Sequence, residues 1–100
     1  MKFISVIVTT YNWPQALRAS LSSLLDQHDK NFEIIIADDG SSDETEKLIN
    51  EFSKLSPISI RHVHHEDRGF RAGTIRNKAV AISTGEYLIF IDGDCAVFPN

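Results

Sequence analysis

Two carboxylates separated by one glycine, Asp92-Gly93-Asp94, directly follow the apolar run from Tyr87 to Ile91. Both carboxylates can turn toward one cation, and Mg²⁺ or Mn²⁺ prefers such oxygen ligands while keeping coordination positions for phosphate oxygens. Alone, an Asp-Gly-Asp sequence is more often a plain turn. Its place at the end of a predicted buried strand instead favours a divalent metal site with Asp92 and Asp94 as ligands.

A second acidic pair, Asp38-Asp39, follows the apolar run from Phe32 to Ala37 and precedes Gly40-Ser41-Ser42. The same residues suit a turn followed by a helix cap, so two interpretations stay open. In the functional one, a carboxylate accepts the ring N–H of a pyrimidine base, a donor that is costly to leave unpaired when buried.

The first apolar run ends in four polar or aromatic residues, Thr9-Thr10-Tyr11-Asn12. Tyr11 can stack on a base and Asn12 can contact it. Rim packing for Tyr11 and a helix cap for Asn12 explain the two residues equally well.

Basic residues collect around the predicted start of a third helix, where backbone N–H groups and the helix dipole favour a phosphate. A solvated basic face is the alternative for each of them taken singly. They are Arg68, Arg71, Arg76 and Lys78. Four further residues, His62, His64, His65 and Glu66, do not predict zinc, because no cysteine lies at metal-binding spacing.

Four apolar runs alternate with three segments of helical periodicity. The predicted strands run from Phe3 to Val8, from Phe32 to Ala37, from Ile58 to His62 near an edge of the sheet, and from Tyr87 to Ile91 as a buried strand. The predicted buried helix faces are Leu17, Leu21, Leu24 and Leu25; then Leu48, Ile49, Phe52 and Leu55; then Ile75, Ala79 and Ile82 with Val80 alongside.

This β-α-β-α-β-α-β order predicts an α/β fold with a mostly parallel sheet and helices on both faces, because strands joined by helices cannot pair as tight hairpins. The exits of parallel strands share one edge, where ligands bind. The acidic residues therefore meet at that edge, which is unfavourable without cations or hydrogen-bond donors.

Composition narrows the class of protein. The 100 residues fit one domain, 1–100, and a formal charge of −4 without long charged runs argues against a nucleic-acid arm or a polybasic membrane patch. The first apolar run is too short to span a membrane. Cys95 is a lone cysteine and cannot form an internal disulfide, so a cytoplasmic location is the default expectation.

Four motifs together resemble the N-terminal part of inverting family-2 glycosyltransferases, which have the Rossmann-like GT-A fold. They are Ser5-Val6-Ile7-Val8-Thr9-Thr10-Tyr11-Asn12, Asp38-Asp39-Gly40-Ser41-Ser42-Asp43, Arg76-Asn77 and Asp92-Gly93-Asp94. The resemblance covers nearly the whole chain.

The resemblance implies a nucleotide-diphosphate sugar donor, often UDP-linked, and transfer of the sugar to a carbohydrate or glycan-lipid acceptor with inversion. Thr9, Thr10, Tyr11 and Asp39 would surround the nucleotide base, and Asn12 would belong to the same nucleotide-sugar site. Asp92 would face ribose or metal, Asp94 would bind the Mn²⁺ or Mg²⁺ that bridges the diphosphate, and Arg71 and Arg76 would belong to the donor site.

The same resemblance places the catalytic base and most of the acceptor site beyond residue 100. We therefore expect these 100 residues to be a donor-binding half that binds nucleotide weakly, and we expect that a sheet lacking later strands can self-associate.

Other classes remain as alternatives. A non-catalytic nucleotide-binding module would share these motifs. A nucleotidyltransferase would ordinarily show a glycine-rich basic loop after the first strand, and a dehydrogenase would show G-x-G-x-x-G there; neither pattern is present. A response-regulator-like module could also use acidic strand ends with Mg²⁺.

Overall fold

The computed structural model describes residues 3–10, 14–27, 30–38, 43–64 and 72–92. Strands and helices alternate along the chain, which confirms the predicted order. The elements are β1 (Ile4–Thr10), α1 (Pro14–Leu25), β2 (Phe32–Asp38), α2 (Asp43–Leu55), β3 (Ile60–His64), α3 (Ala72–Ile82) and β4 (Tyr87–Asp92).

The four strands form one sheet in the order β3-β2-β1-β4, and all three neighbouring pairs are parallel. The chain moves outward from β1 to β2 and β3, then returns past β1 to form β4 on the other side. The direction of the connections therefore reverses between β1 and β4. In open parallel sheets such a switch point opens a crevice at the carboxyl ends of the strands.

Helices pack on both faces of the sheet, as predicted, because alternate residues of each strand point to opposite sides. On one face α1 and α2 pack over β1 and β2, with a core of Val6, Val8, Leu17, Leu21, Leu24, Phe32, Ile34, Ile36, Leu48 and Ile49. On the other face α3 packs over a smaller core of Ile7, Ile35, Ala37, Ile75 and Ala79.

Helix α2 buries a stripe that lies one turn earlier than its sequence pattern predicts. Leu48 and Ile49 are buried and Phe52 is partly buried, but Leu55 is 86% exposed, so its predicted burial is wrong. Leu55 is the last residue of the helix, and Thr45, in its first turn, takes a buried position instead. Helical spacing alone does not show how far a helix overlaps the sheet beneath it.

Strand β3 begins at Ile60, two residues later than predicted, because a local turn precedes it. The Ser56 hydroxyl donates to the carbonyl of Ile58 at 2.8 Å and accepts from the N–H of Ile58 at 3.1 Å. Ile58 still packs against the core from that turn. Among the described strands it pairs with β2 alone, which confirms its predicted place at an edge.

Strand β4 lies at an edge among the described strands, and four of its five apolar side chains are exposed, so the prediction of a buried strand is wrong for them. The fifth, Ile91, is half-buried and packs against the first core. The exposed fractions are 53% for Tyr87, 39% for Leu88, 44% for Ile89 and 51% for Phe90. The neighbouring Val80 and Ile82 of α3 are also exposed, contrary to the predicted helix face. The cause is strand order: α3 packs across β1, β2 and β3, and β4 lies outside that cover.

Candidate functional site at the carboxyl edge of the sheet

The carboxyl ends of β1, β2 and β4 bring together four residues that the sequence predicted at this edge. In the register of the sheet, Thr9 pairs with Asp92 across the switch point, and Thr10 pairs with Asp38 on the other side of β1. Thr10 and Asp38 are buried and Thr9 is half-buried. The end of β1, which carries the two threonines, thus lies between the ends of β2 and β4, which each carry an aspartate.

Asp38 has a partner that the sequence did not predict. Its Oδ2 atom lies 2.9 Å from Nε2 of His62, which comes from the neighbouring strand β3. The Asp38 side chain is 1% exposed, so its polar oxygens need partners within the protein. The contact anchors the end of β2 immediately before Asp39. It gives Asp38, one of the two acids in the Asp38-Asp39 pair, a structural role.

Several predicted site residues lie outside the described residues. They are Tyr11, Asn12, Asp39, Arg71 and Asp94. For Asp92 and Arg76 the structure describes the backbone position: Asp92 ends β4 and Arg76 lies in α3. The roles assigned to all seven residues stay predictions.

The cluster of His62, His64, His65 and Glu66 lies only partly within the described residues. Within residues 3–10, 14–27, 30–38, 43–64 and 72–92, no three His, Cys, Asp or Glu side chains lie close enough to hold a metal ion. His62 contacts Asp38, and His65 and Glu66 lie outside the described residues.

A second polar cluster, which sequence analysis missed, lies at the opposite edge of the sheet. We call it the Glu33 clamp; it consists of Ser5, Glu33, Arg61, Thr84 and Gly85. Glu33 accepts hydrogen bonds from Ser5 Oγ at 2.6 Å, from the Arg61 guanidinium at 2.8 Å, and from Thr84 through its N–H at 2.8 Å and its hydroxyl at 3.0 Å.

The clamp extends to the end of α3 and the start of β4. The guanidinium of Arg61 also donates to the carbonyl of Ile82, the last residue of α3, at 2.6 Å. The N–H of Gly85 donates to Ser5 Oγ at 2.8 Å. One sequence signal could have found the clamp, because Glu33 is a charged residue inside an otherwise apolar run and such a residue needs a buried partner.

The environment of Glu33 favours its charged form. Burial opposes ionisation, but the hydrogen bonds from Ser5, the Thr84 backbone, Arg61 and the Thr84 hydroxyl together outweigh it, so the pKa of Glu33 lies below its ordinary value. Its side chain is only 4% exposed, and the ion pair with Arg61 is therefore shielded from solvent on the carboxylate side.

An apolar groove of about 190 Å³ lies between α1 and β4. It is lined by Ile4, Val6, Leu24, Gln27, Asn31, Phe32, Ile89 and Ile91. None of the described residues that line the groove carries an ionisable side chain. The groove continues the exposed apolar surface of β4.

These features define the class of the protein: a doubly wound parallel α/β domain with polar and acidic strand ends at its switch point, the arrangement of nucleotide-binding domains. The chain belongs to a particular family of that class, described as Glycosyl transferase family 2, which matches residues 5–100. The fold is that of the GT-A glycosyltransferases, as the resemblance implied.

Similar proteins agree with this assignment. The chain is 35% identical over 97 residues to a putative glycosyltransferase, EpsH, of Bacillus subtilis. It resembles the solved S. aureus TarS 1-349 in complex with UDP, with a TM-score of 0.79 and 30% identity over 96% of the chain. It also resembles the mannosyltransferase PcManGT of Pyrobaculum calidifontis in complex with GDP-Man and Mn²⁺, with a TM-score of 0.84 and 25% identity over 95% of the chain.

The chain spans a small part of these proteins: 27% of the length of EpsH and 28% of each of the two solved chains. In the part of the chain that the structure describes, none of the helices has the length and hydropathy needed to cross a membrane.

Proposed function

We propose that this chain binds a nucleotide-diphosphate sugar, UDP-linked, at the carboxyl edge of its sheet, and that a divalent metal, Mn²⁺ or Mg²⁺, joins the diphosphate to the protein. Within a complete transferase the bound sugar passes to an acceptor hydroxyl of a carbohydrate or glycan lipid with inversion. The cytoplasm, where a lone cysteine stays reduced, is the proposed location.

The observation that carries the proposal is the pairing of Thr9 with Asp92 across the switch point between β1 and β4. Doubly wound sheets bind nucleotides at this position. Two of the similar structures support the choice of ligand, since one is a complex with UDP and the other a complex with GDP-Man and Mn²⁺.

The residues at the end of β4 suit a hard cation. Asp92 ends β4 and Asp94 follows two residues later, and the two carboxylates are the oxygen ligands that Mn²⁺ and Mg²⁺ take. The metal would neutralise charge on the leaving diphosphate. Asp39, which follows the anchored Asp38, would read the base together with Thr9, Thr10, Tyr11 and Asn12.

Arg71 and Arg76 would supply positive charge to the diphosphate. Arg76 lies in the first half of α3, and Arg71 immediately precedes that helix. Helix N-termini favour phosphate through their free N–H groups and dipole.

Transfer also needs a carboxylate base to accept the proton of the acceptor hydroxyl. None of the described carboxylates is assigned that role.

Calorimetric titration tests the proposal. UDP, GDP and their sugars are titrated into the chain in Mn²⁺ and in chelator, and the titrations are repeated on Asp94→Ala. We expect nucleotide binding that needs Mn²⁺ and is lost in Asp94→Ala. The control is Asp26→Ala, which removes an exposed carboxylate just after α1 and should bind as the wild type does. Equal affinity in Mn²⁺ and in chelator would contradict the role of the metal.

A transfer assay separates the second candidate, a nucleotide-binding module without catalysis. Binding of UDP-sugar with no transfer to any acceptor, by a protein that contains this domain together with the rest of its chain, would favour the module. Release of UDP with formation of a glycosidic bond would favour the transferase.

A further inference from the structure

The Glu33 clamp holds the two elements that carry Arg76 and Asp92, although it lies at the opposite edge of the sheet. Its contacts reach the last residue of α3 through Arg61 and Ile82, and the residues between α3 and β4 through Thr84 and Gly85. No side chain of the clamp belongs to the carboxyl edge. Any influence on ligand binding must therefore act through the positions of α3 and β4.

The contact with α3 fixes the helix at its carboxyl end. Arg61 bridges Glu33 Oε1 and the carbonyl of Ile82, so the helix end is tied to β2 and β3 together. Arg76 lies six residues earlier, about 9 Å along the helix axis. A helix is stiff over this length, so a tilt or rotation at Ile82 moves the position of Arg76.

The contacts with Thr84 and Gly85 fix the register of β4. Gly85 packs so closely on β1 that a Cβ atom there would lie 2.5 Å from the backbone N of Ser5. The N–H of Glu86 then donates to the carbonyl of Phe3 at 2.8 Å, and β4 starts. Asp92 pairs with Thr9 only in this register, because a slip of one residue would shift every pair that β4 makes with β1.

The register of β4 needs these hydrogen bonds because the strand lies at an edge among the described strands. The strand pairs with β1 alone among the described strands, and four of its five apolar side chains, those from Tyr87 to Phe90, are exposed. Packing therefore specifies its register weakly, whereas a central strand is fixed by neighbours on both sides. The hydrogen bonds of the clamp supply directional constraints that burial does not.

From these contacts we infer that Glu33 is a positioning residue for nucleotide binding: with Arg61 and Ser5 it sets the placement of α3 and the register of β4, and through them Arg76 and Asp92. This inference rests on the proposed function, which assigns those two residues to the donor diphosphate and the metal. Glu33 itself touches no ligand.

The test compares Glu33→Gln with Leu24→Ala, measuring UDP affinity in Mn²⁺ and amide hydrogen exchange under conditions where both variants are folded. Leu24 is buried near the same edge of the sheet but on the opposite face, so its truncation also destabilises the domain without touching the clamp. We expect Glu33→Gln to bind UDP about tenfold more weakly and to exchange amides of β4 faster. Leu24→Ala should keep wild-type affinity.

The outcomes are distinguishable. A wild type that binds no UDP in Mn²⁺ overturns the proposed function and the positioning role with it. A wild type that binds, with Glu33→Gln equal to Leu24→Ala in affinity, overturns the positioning role alone, as does unchanged exchange in β4. If Glu33→Gln does not fold, Arg61→Met replaces it, because the Arg61 side chain is 37% exposed. Restoration of affinity in Arg61→Lys would support the contact with Glu33.

Discussion

The Nε2 atom of His62 lies 2.9 Å from Oδ2 of Asp38, and this contact joins β3 to the buried end of β2. It fixes the last described residue of β2 at the candidate site. The pair explains how an acidic side chain can be fully buried at a strand end.

Replacing His62 by leucine should therefore destabilise the fold by about 1–3 kcal/mol, because the carboxylate of Asp38 loses a partner and stays buried. Urea unfolding followed by circular dichroism measures the change. His62→Gln keeps an N–H donor and should lose less. Equal stability of the leucine variant and the wild type would show that the contact does not anchor the end of β2.

The pH dependence of stability follows from Glu33. Its pKa in the folded chain lies below the ordinary value of 4.5, so the ionised form is favoured by folding. The stabilisation is fully present above the unfolded pKa and is lost as the pH falls through the folded pKa.

We therefore expect Glu33→Gln to cost about 1–3 kcal/mol at pH 7, where the wild-type carboxylate is charged and fully hydrogen-bonded. The difference from the wild type should shrink as the pH falls below 4.5. Unfolding free energies at several pH values measure it. Glu51→Gln is the control, since Glu51 is 65% exposed and its ion pair with Arg18 spans 3.7 Å. A constant difference at all pH values would contradict the role of the charge.

Gly85→Ala should destabilise the domain more than most single substitutions, by about 2 kcal/mol or more. The added Cβ would lie 2.5 Å from the backbone N and 2.6 Å from Oγ of Ser5, and β1 cannot move without breaking its pairing. Thermal unfolding measures the effect. Ser83→Ala, two residues earlier, removes only a hydroxyl bonded to the carbonyl of Val80 and should cost less. A tolerated alanine at position 85 would contradict the close approach of the two segments.

Self-association of the 100-residue chain is expected through β4. Its outer edge faces no other described strand, and Phe90 is 51% exposed on one face and Ile89 is 44% exposed on the other. Strands of this kind pair with other chains unless charge opposes it. Sedimentation velocity at rising concentration should show oligomers that Phe90→Lys reduces. Leu55→Lys changes an equally apolar but isolated side chain on α2 and should leave association as it was.

The amino-acid sequence by itself determined the element order, the parallel arrangement and the family. Apolar runs such as Ile34-Ile35-Ile36, and the spacing of Leu17, Leu21 and Leu24, encode strands and helices through local periodicity, which needs no tertiary information. The polar residues that end those runs pointed to one edge of the sheet, and the register places Thr9 beside Asp92 and Thr10 beside Asp38 there.

Only the tertiary structure decided which strand lies at an edge, how far each helix overlaps the sheet, and which polar residues meet. Tyr87 to Phe90 read as a buried strand because hydropathy does not encode strand order, and β4 proved to be an edge. Glu33 and Thr84 form a hydrogen bond although they are 51 positions apart in the chain. Such contacts depend on the strand order and register of the folded sheet, and local sequence patterns carry neither.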